Sequence, residues 1–167
     1  DRSVSAHEAI GVFESHEVIN RRLLDRLLDA KDYRARAYAT RVAGRWHDRL
    51  DDPLAILGRR ARDEHIRVRL EAVVAASDVR QPKSILVAAH AGANDSDRFV
   101  KFAFNQTVHA LANHWRPALL SGDLTFANTD HLQAVLKVYG GNDVSGVVRQ
   151  QIDNPKLPVK QRQALFA

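Results

Sequence analysis

One apolar helix face occurs three times in this chain at nearly equal spacing, and that recurrence restricts the fold more than any other feature. Val68, Ala72, Ala75 and Ala76 stand at i, i+4, i+7 and i+8, which places them on one side of an α-helix. Moving back 33 residues gives Ala35, Ala39, Val42 and Ala43, and moving forward 32 gives Val100, Phe104, Thr107 and Val108. Polar residues recur in step: Arg36, Arg69 and Lys101 each follow the first apolar residue. Asp63 and Asp95 each stand six residues before the base of their own copy. Three unrelated amphipathic helices at even spacing would share the apolar face, but they would not share the charges as well. A period near 33 residues marks a stacked solenoid, in which no unit can bury its apolar face alone and neighbours must supply the cover.

The rest of the chain fits helices around these copies. Residues 6–14 form a short helical stretch with Ala9, Ile10 and Phe13 apolar. Residues 17–30 form a stronger one, with Ile19, Leu23, Leu24, Leu27 and Leu28 on one side. Lys31-Asp32 turns the chain into a helix over 33–46. Asp52 is placed as an N-cap with Pro53 at the first helical position, and Gln81-Pro82 opens a later helix in the same way. Gly92 stops that one. Asp97 or Ser96 caps a long helix running to about residue 115, where Pro117 interrupts it. Leu124 and Phe126, in an insertion that departs from the repeat, are expected to tuck against the stack. Further helices are predicted from Thr129 or Asp130 to the Gly140-Gly141 stop, over 143–152, and over 159–166.

The length of 167 residues suits one domain, and no apolar run approaches a membrane span. Without cysteine, these residues hold no disulfide, thiolate metal site or C-x-x-C-H haem attachment. The formal charge is +5, and 19 of the 25 cationic residues are arginine. Acids are interleaved among them throughout, which favours solvated, paired helix faces over a nucleic-acid footprint. Eight histidines raise a metal site. His109 and His114 are five apart and diverge on a helix, while His47-Asp48 and Asp63-Glu64-His65 read as turn clusters used for capping. There is no phosphate-binding glycine loop, nucleophile elbow or H-E-x-x-H helix. Catalytic, cofactor and metal residues are therefore expected to be absent.

The turn followed by Val68-Arg69-x-x-Ala72, with an acid six residues before the base, resembles HEAT-type repeats with a shorter period. In that family the acid and base at these positions pair between units, which the resemblance carries to Asp63 with Arg69 and Asp95 with Lys101. The run from Lys31 to Leu50, together with 63–77, 97–112 and 115–119, resembles the helical-repeat region of large planctomycete-type membrane-bound dehydrogenases. There it lies between a propeller-like dehydrogenase domain and a c-type cytochrome domain. That resemblance implies an exported, periplasmic or membrane-associated parent, and it carries over no catalytic or haem residue.

The expected fold is therefore all-α: a HEAT-like right-handed α-solenoid of about four to five helix pairs. Residues 1–167 form a single repeat domain, a piece of a longer chain without its own initiator Met. The expected function is a non-catalytic scaffold whose second helices line a concave wall. Arg34, Arg41, Arg45 and Arg67 on that wall face a protein partner or a neighbouring domain, and no membrane insertion is expected. The other reading is a basic HEAT-like nucleic-acid module of the alkylpurine DNA glycosylase type, which needs an Asp poised beside a Trp in a basic groove with access for a base. Trp46 and Asp48 are the local match.

The register is directly testable. Val68→Asp places a charge among the packed helices and is expected to lower stability by several kcal/mol, about the cost of a buried unpaired charge, in a denaturant titration. An unchanged midpoint would show that Val68 is not on the buried face.

Overall fold

The computed structural model describes residues 8–13, 18–93, 97–140 and residue 159. Residues 8–13 are helical. The helices that follow are α1 (Arg21–Leu28), α2 (Tyr33–Arg45), α3 (Pro53–Arg60), α4 (Ile66–Asp78), α5 (Ser84–Gly92), α6 (Arg98–Ala110), α7 (Ala112–Ser121) and α8 (Thr129–Tyr139). A 3-10 turn over His47–Arg49 joins α2 to the loop before α3. The described residues contain no strand.

The arrangement is an all-α solenoid. The chain alternates a first and a second helix, so α1/α2, α3/α4 and α5/α6 are successive units. Each second helix packs against the next, α2 on α4 and α4 on α6. This second-helix layer is more closely packed than the first-helix layer. All twelve residues of the thrice-repeated face are buried. They are mostly alanine and valine, which lets helix backbones approach closely while still excluding water. The backbone comes closest to a neighbouring second helix at Gly44 of α2. A Cβ built there would sit 2.5 Å from the Ala75 Cβ of α4. Gly92 makes a similar approach within its own unit, against Phe104.

Local chemistry sets most helix starts. Asp32, Asp52, Asp97 and Asn128 each accept a backbone N–H from the first turn of α2, α3, α6 and α8. Pro53 occupies the first turn of α3, where no donor is lost.

Four boundaries differ from the sequence expectation. Helix α1 begins at Arg21 rather than 17, because the Asn20 side chain accepts the Leu23 N–H and fixes the start there. Helix α5 begins at Ser84, after a turn containing Gln81-Pro82, and the Ser84 hydroxyl donates to the Val79 carbonyl. The α8 cap is Asn128, one residue ahead of Thr129. The helix expected to run to residue 115 breaks at Leu111, and Pro117 lies inside α7. Trp115 supports the break: fully buried, it donates its indole N–H to the Val108 carbonyl, 2.9 Å away, near the end of α6. The insertion behaves as expected, with Leu124 and Phe126 both buried after the left-handed Gly122 cap. Helix α8 then packs against α5 and α6. Of the helices predicted over 143–152 and 159–166, only residue 159 is described.

The Gly44 approach yields a test. Gly44→Ala improves helix propensity by about 1 kcal/mol but forces α2 away from α4, and overpacking of this kind costs about 1–3 kcal/mol. The expected outcome is a net loss of stability in chemical denaturation, partly recovered when Ala75→Gly is added. A stabilised single variant would mean that the helices do not meet at this point.

Candidate interaction surface

The junction between the first two units is held by an arginine clamp. Arg36 of α2 donates its Nε and Nη2 to the two carboxylate oxygens of Asp63, both at 2.8 Å. Its Nη1 donates to the carbonyls of Ala30 and Lys31, at 3.0 and 2.8 Å. Both side chains of the pair are less than a tenth exposed. Arg60, at the end of α3, donates to the Leu28 carbonyl at the end of α1 and lies 3.8 Å from Asp63. Arg69 repeats the carbonyl half of the clamp one unit on, donating to the carbonyls of Asp63 and Glu64 at 3.0 Å each.

The expected pairing of Asp63 with Arg69 is thus realised differently. Arg69 meets the Asp63 backbone, and the Asp63 carboxylate belongs to Arg36 of the preceding unit. The reason is geometric: an arginine early in a second helix folds back over its own turn, and its remaining donors then face the next unit. Asp95 lies outside the described residues, and Lys101 is exposed on α6.

Burial opposes ionisation of Asp63, but hydrogen bonds from Arg36 and from the His65 N–H, with the charges of Arg36 and Arg60, outweigh it. They hold the carboxyl below its usual range. Above this clamp Tyr33 stacks on His65 with ring centroids 3.5 Å apart, while the His65 ring accepts the Arg67 N–H and caps α4.

The outward faces of α2, α4 and α6 form one continuous surface. On α2 the residues are Arg34, Tyr38, Arg41 and Arg45, at i, i+4, i+7 and i+11. The same register reads Arg67, Glu71, Val74 and Asp78 on α4, and Phe99, Ala103, Gln106 and Ala110 on α6. All four arginines expected on the wall therefore lie in one region, around two cavities of 410 and 440 Å³ between α2 and α4. Glu71 separates these cavities. Its carboxylate is nearly buried and accepts from Arg41 at 2.7 and 3.1 Å and from Arg67 at 3.1 Å. A third cavity of 400 Å³ lies between α4 and α6, and it shares Leu70 and Val74 with the first. Its rim carries Phe99 and Phe102, 57% and 66% exposed.

Sequence reasoning missed Glu71 and this apolar strip. Carrying the 33- and 32-residue offsets to the exposed positions would have placed Phe99 with Arg34 and Arg67, but not the Arg41–Glu71 pair.

Trp46 is 1% exposed and belongs to the core, so it offers no stacking platform. Asp48 is exposed, 3.6 Å from Arg49. Among the described residues no three His, Asp or Glu side chains group as metal ligands. His90 of α5 and His131 of α8 meet edge to face at 5.3 Å. Burial first, then the charge of Arg62, lowers both below the usual histidine range; His131 further lowers His90, and Asp130 partly offsets the shift of His131. This pair cements the α5–α8 contact. No described helix is long and apolar enough to cross a membrane.

Stacked helix pairs with a graded, exposed second-helix face define an α-solenoid repeat protein. The chain belongs to the HEAT repeat family, whose pattern matches residues 20–109, the span from the cap of α1 almost to the end of α6. Comparison with curated proteins and with solved structures finds no match.

The clamp makes a pH prediction. A carboxyl held below its unfolded value stabilises the fold above that unfolded value, about 3.9, and this contribution disappears as pH falls through the folded value. Asp63→Asn is expected to cost about 3 kcal/mol at neutral pH. Its stability curve should also lack part of the wild-type decline below about pH 4. Parallel curves for the two proteins between neutral and acid pH would remove Asp63 from that role.

Proposed function

We propose that this chain is a non-catalytic protein-interaction scaffold, the role HEAT repeats commonly serve, binding a protein or a neighbouring domain along the outward faces of α2, α4 and α6. Residues 1–167 act as one repeat domain of a longer protein in this reading. In a parent of the dehydrogenase–cytochrome kind, periplasmic or membrane-associated, the wall would hold the two flanking domains in position for electron transfer.

The observation that carries the scaffold reading is the sharing of Glu71 by Arg41 and Arg67. A phosphate-binding stripe presents cations to the ligand without a carboxylate among them. Here a nearly buried acid sits in the middle of the arginine cluster, and the surface next to it is apolar. Arg34, Arg41, Arg45 and Arg67 are the proposed partner-contacting residues. The repeated clamp of Arg36 and Arg69 belongs to the stack.

Titration with labelled single- and double-stranded DNA at about 50 and about 200 mM salt separates the two readings, since several phosphate contacts would cost on the order of a thousandfold in affinity across that range. The expected outcome is no micromolar binding with such a slope. Steeply salt-dependent micromolar binding would overturn the scaffold reading in favour of a nucleic-acid module. The positive arm is titration with the flanking domains of the parent chain, expected to bind and to weaken when Arg45 and Arg67 are replaced by Gln.

A further inference from the structure

The second-helix surface changes character along the stack, and the change follows the repeat register. At equivalent positions the rows read Arg34–Arg67–Phe99, Tyr38–Glu71–Ala103, Arg41–Val74–Gln106 and Arg45–Asp78–Ala110. Three arginines stand on the α2 stripe, one on α4 and none on α6. Apolar exposure runs the other way, with Val74 on α4 at 46% and Phe99 and Phe102 on α6 higher still. The three cavities lie side by side across α4: one pair shares the lining residues Arg41 and Glu71, the other shares Leu70 and Val74, so an extended ligand laid over α4 reaches both halves.

We infer that the α2–α4–α6 surface takes an acidic amphipathic peptide segment, a short stretch of a partner protein. Its aromatic or aliphatic side chains lie in the groove at Phe99 and Phe102, and its carboxylates meet the arginine half. This inference rests on the scaffold reading and specifies the partner's chemistry.

Charge complementarity selects the occupant. Four arginines line the basic half against two acids, Glu71 and Asp78, and Glu71 is already shared by two of them, so the half carries a net positive charge of about two at neutral pH. The side chain of Arg67 stays half exposed while paired, and that of Arg41 only slightly less so. A planar guanidinium held on one side by a fixed carboxylate is pre-oriented, so less side-chain freedom is lost when a second carboxylate arrives. A second copy of this chain, at a formal charge of +5, brings like charge to this surface. A nucleic acid would place phosphates near Glu71 and leave the phenylalanine groove without an aliphatic ligand. A segment with apolar residues on one side and carboxylates on the other satisfies both halves, in the helix-in-groove manner.

The test uses the whole 167-residue chain and three labelled helical peptides. They share one face of leucine and phenylalanine and carry Glu, Lys or Gln on the flanks. The glutamate peptide is expected to bind at least tenfold more tightly than the lysine peptide. Raising salt should narrow the gap. Phe102→Ala should weaken the glutamate peptide severalfold. Arg34→Gln with Arg45→Gln should weaken the glutamate peptide severalfold and leave the glutamine peptide unchanged, with thermal melting showing every variant folded.

Equal binding of all three peptides, still dependent on Phe102, would overturn the charge assignment and leave the scaffold reading intact. Glutamate preference indifferent to Phe102→Ala would overturn the joined groove. Self-association of the chain that Phe102→Ala abolishes would assign the strip to a second copy and overturn the proposal. No binding of any peptide would also overturn it, and the scaffold reading would then be decided by the DNA and flanking-domain titrations alone.

Discussion

The spacing of this solenoid depends on the bonds of one guanidinium. Arg36 bridges two carbonyls of the turn that precedes its own helix and both oxygens of a carboxylate in the next unit. The Ala30 and Lys31 carbonyls lie in the turn between α1 and α2, outside any helical hydrogen-bond ladder, and need partners of their own. Satisfying them with an arginine, rather than with water, ties the turn to its helix. Directing the remaining donors at Asp63 then ties that unit to its successor. A buried carboxylate is costly unless paired, so the second unit gains only when it stacks in one register. The apolar face makes stacking favourable, and the clamp decides where it happens.

The same geometry accounts for the surface. With the second helices locked in register, equivalent outward positions line up across units, and residue choice at those positions writes a pattern along the stack. The stripe on α2 is cationic, the stripe on α6 apolar, and α4 between them carries Glu71, which fixes two arginines at once. The interior and the exterior are thus two readings of one periodicity, the first selected for packing and the second for what the surface meets.

Much of this was legible in the chain itself. The buried face was read at all twelve positions, because a 3.6-residue periodicity repeated three times is hard to produce by accident. The caps at Asp52 and Asp97 were legible from chemistry local to the backbone. What escaped was non-local or depended on competition between signals. Asp63 pairs with Arg36 and Glu71 with Arg41, partners 27 and 30 residues apart that only the stacked units bring together. Pro117 was the obvious breaker, yet the chain breaks at Leu111, where a buried tryptophan seven residues past Val108 supplies the missing donor. Phe99 and Phe102 look like core residues by type. The register, extended from the buried face to the opposite one, places Phe99 outside with Arg34 and Arg67, but it aligns the exposed Phe102 with the half-buried Leu70 and the buried Ala37.

Gly44 sets a gradient beyond its own contact. At its register position the following units carry Ser77 and then His109, so the residue facing the next second helix grows with each step along the stack. At Gly44 the α2 backbone meets the Ala75 side chain of α4, whereas α4 and α6 flank a cavity lined by Ser77 and Thr107. A side chain at position 44 is therefore incompatible with this approach of α2 to α4, so the glycine fixes how near the first two units can lie.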